Sequence, residues 1–218
     1  TSRGLGDVYK RQVKHWPGGY FSSTGGYKYT TYALAQDLQP MHSALADLSP
    51  VRRVGYFDAD VGLYFDRYFQ GGGRNWLQTI EPRLLYLRQG YADQSTLPIF
   101  DTTDMPLSYS QLFRKERFVG LDRMADANQV VFGFSSRLLS ADSSEEYASY
   151  SLGKIFYLET PRVGLLDRVE SPQSASSESI VSEFNLRFGT RWQFDSHQTW
   201  SSQTCLLYTS DAADEGLG

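Results

Sequence analysis

The chain has 218 residues, a hydrophobic fraction of 40% and a formal charge of −4. No run of about 18 apolar residues occurs, which excludes a transmembrane helix but not a membrane barrel, whose strands show only alternate residues to lipid. The acidic balance leaves no footprint for a nucleic-acid partner, and aromatics at 15% are abundant for an ordinary globular domain.

The ends are set aside first. "SRGLGDVYKRQ" (Ser2–Gln12) and "CLLYTSDAADE" (Cys205–Glu215) read as translations of a transposase sequencing adapter. Residues 1–12 and 205–218 are therefore read as adapter sequence. The native part is then 13–204, expected to be truncated at both ends. The single cysteine, Cys205, falls in the second segment, so cysteine usage says nothing about redox compartment.

Between the ends, period-2 alternation dominates. "GGYKYTTYALAQ" (Gly25–Gln36) reads as a strand, and Gln39–Pro50 as a loop. In Val51–Phe69, Phe57, Ala59, Val61, Leu63 and Phe65 form an oily face, whereas Tyr56, Asp58, Asp60, Gly62, Tyr64 and Asp66 form a wet, acidic one. "QGGGRN" (Gln70–Asn75) is a tight reversal. Trp76–Gln89 is a strand in which Pro82 predicts a bulge or a weakly paired position. Gly90–Ala127 is a long irregular segment. Asn128–Leu139 alternates again, with Val130, Phe132, Phe134 and Leu138 opposite Gln129, Gly133, Ser135 and Arg137. After a short turn, Glu146–Leu158 is a strand, Glu159–Glu178 a Ser-rich loop, and Ser179–Phe188 and Trp192–Trp200 a hairpin.

From Gln70 onward the connections run short, long, short, long, short. A soluble sandwich does not sort its loops by parity, whereas an outer-membrane barrel does, with short periplasmic turns and long extracellular loops. The predicted fold is therefore all-β: an antiparallel up-and-down transmembrane barrel, incomplete, of about seven strands, with one long extracellular loop at 90–127. Lipid would face Phe57 to Phe65. A hydrated bore would face Asp58, Asp60, Asp66, Glu183 and Arg187, and Tyr56, Phe69, Trp76, Tyr86 and Trp192 would supply interfacial girdles.

Chemistry is sparse. His15, His42 and His197 stand far apart, with neither HExxH nor GxSxG. No catalytic residue, metal ligand or cofactor is assigned, and the chain is read as no enzyme. The long loop is the informative segment, because loops beyond about 15 residues are usually functional or disordered. Leu97, Ile99, Phe100, Leu107, Tyr109, Leu112, Phe113, Phe118 and Leu121 give it enough apolar bulk to pack as a cap over or into the barrel mouth. Its charges suggest ion pairs and local Asp–backbone turns.

"TIEPR" (Thr79–Arg83), "DQSTLPIFDT" (Asp93–Thr102), "SQLFRKERFVGLDRMADANQ" (Ser110–Gln129) and "SLGKIFYLE" (Ser151–Glu159), in this order, resemble the barrel domain of the lipopolysaccharide-assembly outer-membrane family, LptD or organic solvent tolerance protein. The residues carrying the resemblance are Glu81, Pro82, Arg83, Asp93, Gln94, Pro98, Phe100, Asp101, Arg117, Phe118, Gly120, Asp122, Arg123, Asp126, Asn128 and Gln129. Lys154 departs from an expected Gln; a lysine facing lipid would be costly there.

The resemblance implies a part of the translocon that inserts lipopolysaccharide into the outer leaflet of the Gram-negative outer membrane. It also implies an LptE-like lipoprotein plug, an LptA-like periplasmic bridge reached through a domain outside this segment, and the barrel-assembly machinery as partners. Two alternatives are a passive porin-like or receptor barrel and a secreted soluble glycan-binding β-domain.

Overall fold

The computed structural model describes residues 2–33, 51–94, 97, 102–104, 107–120, 123–164, 179–188, 191–201 and 207–211. They form one open antiparallel sheet of ten strands. In chain order its strands are β1 (Ser2–Trp16), β2 (Gly19–Ala33), β3 (Val51–Leu63), β4 (Phe65–Gly71), β5 (Arg74–Gln89), β8 (Ala127–Ser140), β9 (Glu146–Tyr157), β10 (Ser179–Phe188), β11 (Trp192–Ser201) and β12 (Leu207–Asp211). The long connection after β5 holds a two-stranded ribbon, β6 (Thr103–Asp104) with β7 (Phe118–Val119), and one helical turn, α1 (Tyr109–Leu112). The strands pair in sequence order from β1 to β12, with β4 continuing β3 alongside β5. This is the meander of an up-and-down wall.

More strands are present than the seven read from the sequence. Ser2–Gln12, set aside on sequence grounds, runs into β1 and pairs without a break with Ser23–Ala33. Leu207–Asp211 adds an edge strand beside β11.

The expected reversal at Gly71–Gly73 is a two-residue turn with Gly72 at φ +60° and Gly73 at φ +73°. Both values are open to glycine at no steric cost, and their twist matches the flanking strands. Pro82 acts as expected of a residue without an amide proton. The β3–β5 ladder ends at Gly62↔Arg83 and resumes at Phe65↔Ile80. The gap lies opposite Pro82, and there Tyr64 donates its N–H to the Gly18 carbonyl instead, at 2.9 Å. Register is unchanged across the gap, so the side-chain alternation survives it.

The two faces differ. One is bare and apolar: Phe57, Phe65, Phe132, Phe156, Phe194, Trp192 and Trp200 are all exposed. No second layer covers this face among the described residues, contrary to what a soluble sandwich requires. The other face is covered in its middle by the 90–126 connection. Leu85, Val131, Ile155 and Val181 from the wall and Leu112 and Phe113 from the cap make one buried cluster. The apolar core thus lies between cap and wall.

The girdle expectation needs one correction. Phe69, Trp76, Tyr86 and Trp192 lie on the bare face by register. Tyr56 does not: it shares the covered face with Asp58, and Lys28 Nζ stands 5.1 Å from its ring centroid. Strand parity, rather than nearness to a strand end, decides which medium an aromatic meets.

Candidate functional site

The site is the seat of the cap on the wall. It begins with local chemistry: Ser108 is the N-cap of α1, its hydroxyl accepting the Gln111 N–H at 3.3 Å. Ser108–Tyr–Ser–Gln111 thus has the S-x-x-Q spacing of a capping box, which starts a helical turn at a chosen place.

That turn lands on two glycines. Gly133 of β8 and Gly153 of β9 are register partners on the covered face. A β-carbon at Gly133 would stand 2.4 Å from the Phe113 ring, and one at Gly153 would stand 2.4 Å from a Leu112 methyl carbon. Both contacts are far inside van der Waals distance, so the missing side chains make the notch into which the helix fits. Glu183 of β10 accepts the Tyr109 N–H at 2.7 Å and faces His197 of β11 at 3.3 Å. Burial holds the Tyr109 phenol above its usual range.

Charge fixes the cap on its other side. Lys115 reaches Asp58 of β3 at 2.6 Å and the Thr24 hydroxyl at 3.2 Å. Its neighbour Glu116 pairs with Lys28 of β2. Adjacent cap residues of opposite sign therefore meet wall residues of complementary sign, and a shift of one residue would oppose like charges. Asp58 is only 2% exposed: it is closed over by the cap rather than bathed in water as the sequence suggested. Asp60 is also engaged, by Arg83 through two bonds at 2.6 and 3.0 Å and by the Tyr20 hydroxyl at 3.0 Å. The Arg83 guanidinium in turn stacks 4.2 Å from the Phe113 centroid. Glu81 binds Arg137 across β5 and β8.

Gln94 is the hub at the start of the cap. Buried, its carboxamide oxygen accepts Arg52 Nη1 at 2.7 Å and the Met124 N–H at 3.0 Å, and its amide donates to the Met124 carbonyl at 2.8 Å. The buried Arg123 donates to the Gln94 carbonyl. Gln94 thereby ties both ends of the cap to β3. Asp126 accepts the backbone N–H groups of Arg162 and Val163 at 2.8 to 3.0 Å. This Asp–backbone contact is not the local turn expected; it joins the cap to the segment after β9. Phe118, Ala125 and Val163 pack there as a second small core, and Arg117 donates to the Val163 carbonyl at 3.3 Å. Asn128 accepts the Leu158 N–H at 2.8 Å and donates to Glu159 at 2.8 Å.

The remaining motif residues are dispersed. Gln129 is buried on the covered face, Gly120 turns the chain at φ +94°, Asp93 is exposed at the cap's start, and Pro82 marks the ladder gap. Pro98, Phe100, Asp101 and Asp122 lie outside the described residues. Of the bore candidates, Asp58 and Glu183 bond the cap, Asp60 is held by the wall residues Arg83 and Tyr20, and Asp66 and Arg187 are exposed away from it. Beside Glu183 a cavity of about 290 Å³ opens among Ser149, Ser151, Asn185, Asp195 and His197. Lys154 points to the bare face, in register with Phe132 and Ile180, with Nζ 4.7 Å from the Phe156 ring centroid. The glycine notch was missed in the sequence, because nothing in a strand pattern announces which segment will press on a glycine. The Ser108 cap was there to be seen in the S-x-x-Q spacing, although Gln111 Oε1 finds no partner and the second arm of a capping box is not made.

Comparison with known proteins gives the wall and cap a context. A family model described as LPS transport system D, LptD, matches residues 13–211. The LPS-assembly protein LptD of Xanthomonas oryzae pv. oryzae (strain MAFF 311018) is 36% identical over 189 residues, covering 84% of this chain and 23% of that protein. The LPS-assembly protein LptD of Pseudomonas putida (strain GB-1) is 36% identical over 197 residues, covering 84% of this chain and 21% of that protein. The chain therefore spans less than a quarter of the length of these relatives. By the family match and by these identities, it belongs to the LptD family of LPS transport proteins.

Proposed function

We propose that this chain is part of the barrel wall of an outer-membrane translocon that delivers lipopolysaccharide to the outer leaflet, and that its 90–126 connection plugs the bore. The carrying observation is the two-faced sheet. Its bare face is mostly aromatic and aliphatic and has no carboxylate on β2 to β11, and its covered face holds carboxylates and cations in pairs. Hydrocarbon suits the first, and a hydrated bore suits the second. In lipid every backbone polar group must be paired within the protein, which an antiparallel wall achieves once its edges are closed by further strands. The short turns then lie on the periplasmic side and the long connections on the extracellular side. Family membership supports lipopolysaccharide as cargo, and the wall's part in transport is to separate acyl chains from the charged headgroup rather than to catalyse. An LptE-like lipoprotein in the bore, an LptA-like bridge and the barrel-assembly machinery are the partners this reading implies.

A chimera tests it. Residues 13–204 replace the matching segment of full-length LptD from Pseudomonas putida, and lipopolysaccharide reaching the cell surface is measured after the resident copy is depleted. Surface delivery and growth are the expected result. A chimera that inserts into the outer membrane yet delivers none overturns the transport role, and one that accumulates as soluble protein overturns the barrel.

A further inference from the structure

Carboxylates are confined to one face of β2 to β11, the covered one, where cations such as Lys28, Arg52, Arg83 and Arg137 accompany them. Asp58, Asp60, Asp66, Glu81, Glu183 and Asp195 all stand on the covered face by register. Glu146 joins them, because a bulge at Leu138/Leu139 pairs it with Leu139, a covered-face position. The bare face of β2 to β11 has charges as well, and each is a cation: Arg53, Arg67, Arg74, Arg88 and Lys154. A solvated face would mix both signs, and a face meeting only hydrocarbon would have neither.

The cations also have places. Arg53 is the third residue of β3, Arg88 the last but one of β5, and Lys154 the fourth from the end of β9. All three ends carry long connections. Each cation has an aromatic neighbour on its own face. The Arg53 guanidinium lies 5.5 Å from the Tyr29 centroid, Lys154 Nζ lies 4.7 Å from that of Phe156, and Arg88 is the cross-strand partner of Phe57. An aromatic under the stem with a cation at the tip is the side-chain pattern of a membrane interface, where the stem lies along apolar surface and the head reaches the headgroup level.

We infer that Arg53, Arg88 and Lys154 form a band on the outside of the barrel that binds phosphate groups of lipids in the outer leaflet. The inference rests on the barrel reading, since it needs the bare face to meet lipid. It adds a lipid-binding surface on the outer wall, separate from the bore and its cap. The band is charge-complementary to phosphate, and no carboxylate stands on the bare face of β2 to β11 by register to oppose it.

The test uses the full-length parent protein, folded in nonionic detergent and stripped of lipid. Phosphatidylglycerol and diacylglycerol of the same acyl composition are titrated, and bound lipid is counted by native mass spectrometry. Phosphatidylglycerol should bind the wild type more tightly than diacylglycerol, with an affinity that falls as salt rises. The variant R53Q/R88Q/K154Q should lose roughly tenfold or more in phosphatidylglycerol affinity with no change for diacylglycerol. The charge-keeping variant R53K/R88K/K154R should retain it, and single glutamine variants give partial losses should the triple variant fail to fold. Equal binding by wild type and R53Q/R88Q/K154Q, both showing the heat-modifiable migration of a folded barrel, overturns the band and leaves the barrel standing. A wild type that never shows that migration overturns both.

Discussion

Gly133 and Gly153 face each other across β8 and β9, and the Phe113 ring and a Leu112 methyl occupy the space their side chains would fill. The wall is thus shaped for the cap at one point where strand pairing alone would not require glycine. Gly153→Ala or Gly133→Ala should leave the strands paired and lift α1. Overpacking of this kind costs about 1–3 kcal/mol. Because Arg114, Lys115 and Arg117 lie in the cap, trypsin reports its seating: cleavage in the folded full-length protein should rise roughly tenfold or more. Gly25→Ala, on the bare face where the nearest side-chain atom stands at 3.8 Å, is the control and should change nothing.

The Asp58–Lys115 pair is the second hold. Asp58 is nearly inaccessible, while the Lys115 side chain is 42% exposed, so the pair is only half desolvated. Removing one partner should cost about 1–3 kcal/mol, between the exposed and fully buried cases. Asp58→Asn and Lys115→Met should each loosen the cap, and together they should cost less than the sum. A double-mutant cycle on cap proteolysis reads this coupling; strict additivity would mean that the contact holds nothing.

Much of this wall was legible because strand alternation is a local rule. The oily and wet faces of β3, the facing of β8, the turn at Gly72 and the gap at Pro82 all follow from residues a few positions apart. The cap was legible as apolar bulk and as charge, but its docking was not. Whether Lys115 meets Asp58 or a nearer carboxylate depends on how β2 and β3 approach the segment after β5, which no periodicity encodes. Asp126 shows the same limit: it reads as a turn-former and serves instead to join two connections. Tyr56 shows the opposite lesson, since its own alternation already placed it beside Asp58, and its position near a strand end was the weaker guide.

Deleting residues 93–123 from the full-length protein should test the plug directly. The strands carry their own ladders, with β5 and β8 paired from Trp76↔Ser140 to Gln89↔Ala127, so the wall should still insert. Without Leu112 and Phe113 the bore face around Val131 and Val181 would be open. Large antibiotics excluded by the intact membrane should then enter, and uptake should rise while surface lipopolysaccharide is followed separately. Unchanged uptake in cells with normal amounts of the variant would mean that some other element closes the bore.

Facing can be tested by neighbours on one strand. Val61 lies on the bare face between Phe21 and Leu84, and Asp60 lies on the covered face against Arg83. Val61→Arg places a cation in hydrocarbon and should cost about 2–4 kcal/mol in folding into lipid vesicles if the site is near mid-bilayer. Asp60→Arg is no neutral comparison, because it would oppose Arg83; Asp60→Asn keeps the shape and can still accept from Arg83 and Tyr20. Its cost should be smaller, roughly 1–2 kcal/mol for losing the charge from a partly buried pair. The diagnostic is the solvent dependence. The penalty at Val61 should shrink in thinner bilayers, where the position nears the headgroups, whereas that at Asp60 should not respond to thickness. If both penalties follow bilayer thickness alike, the two faces do not meet different media, and the assignment of the bare face to lipid is wrong.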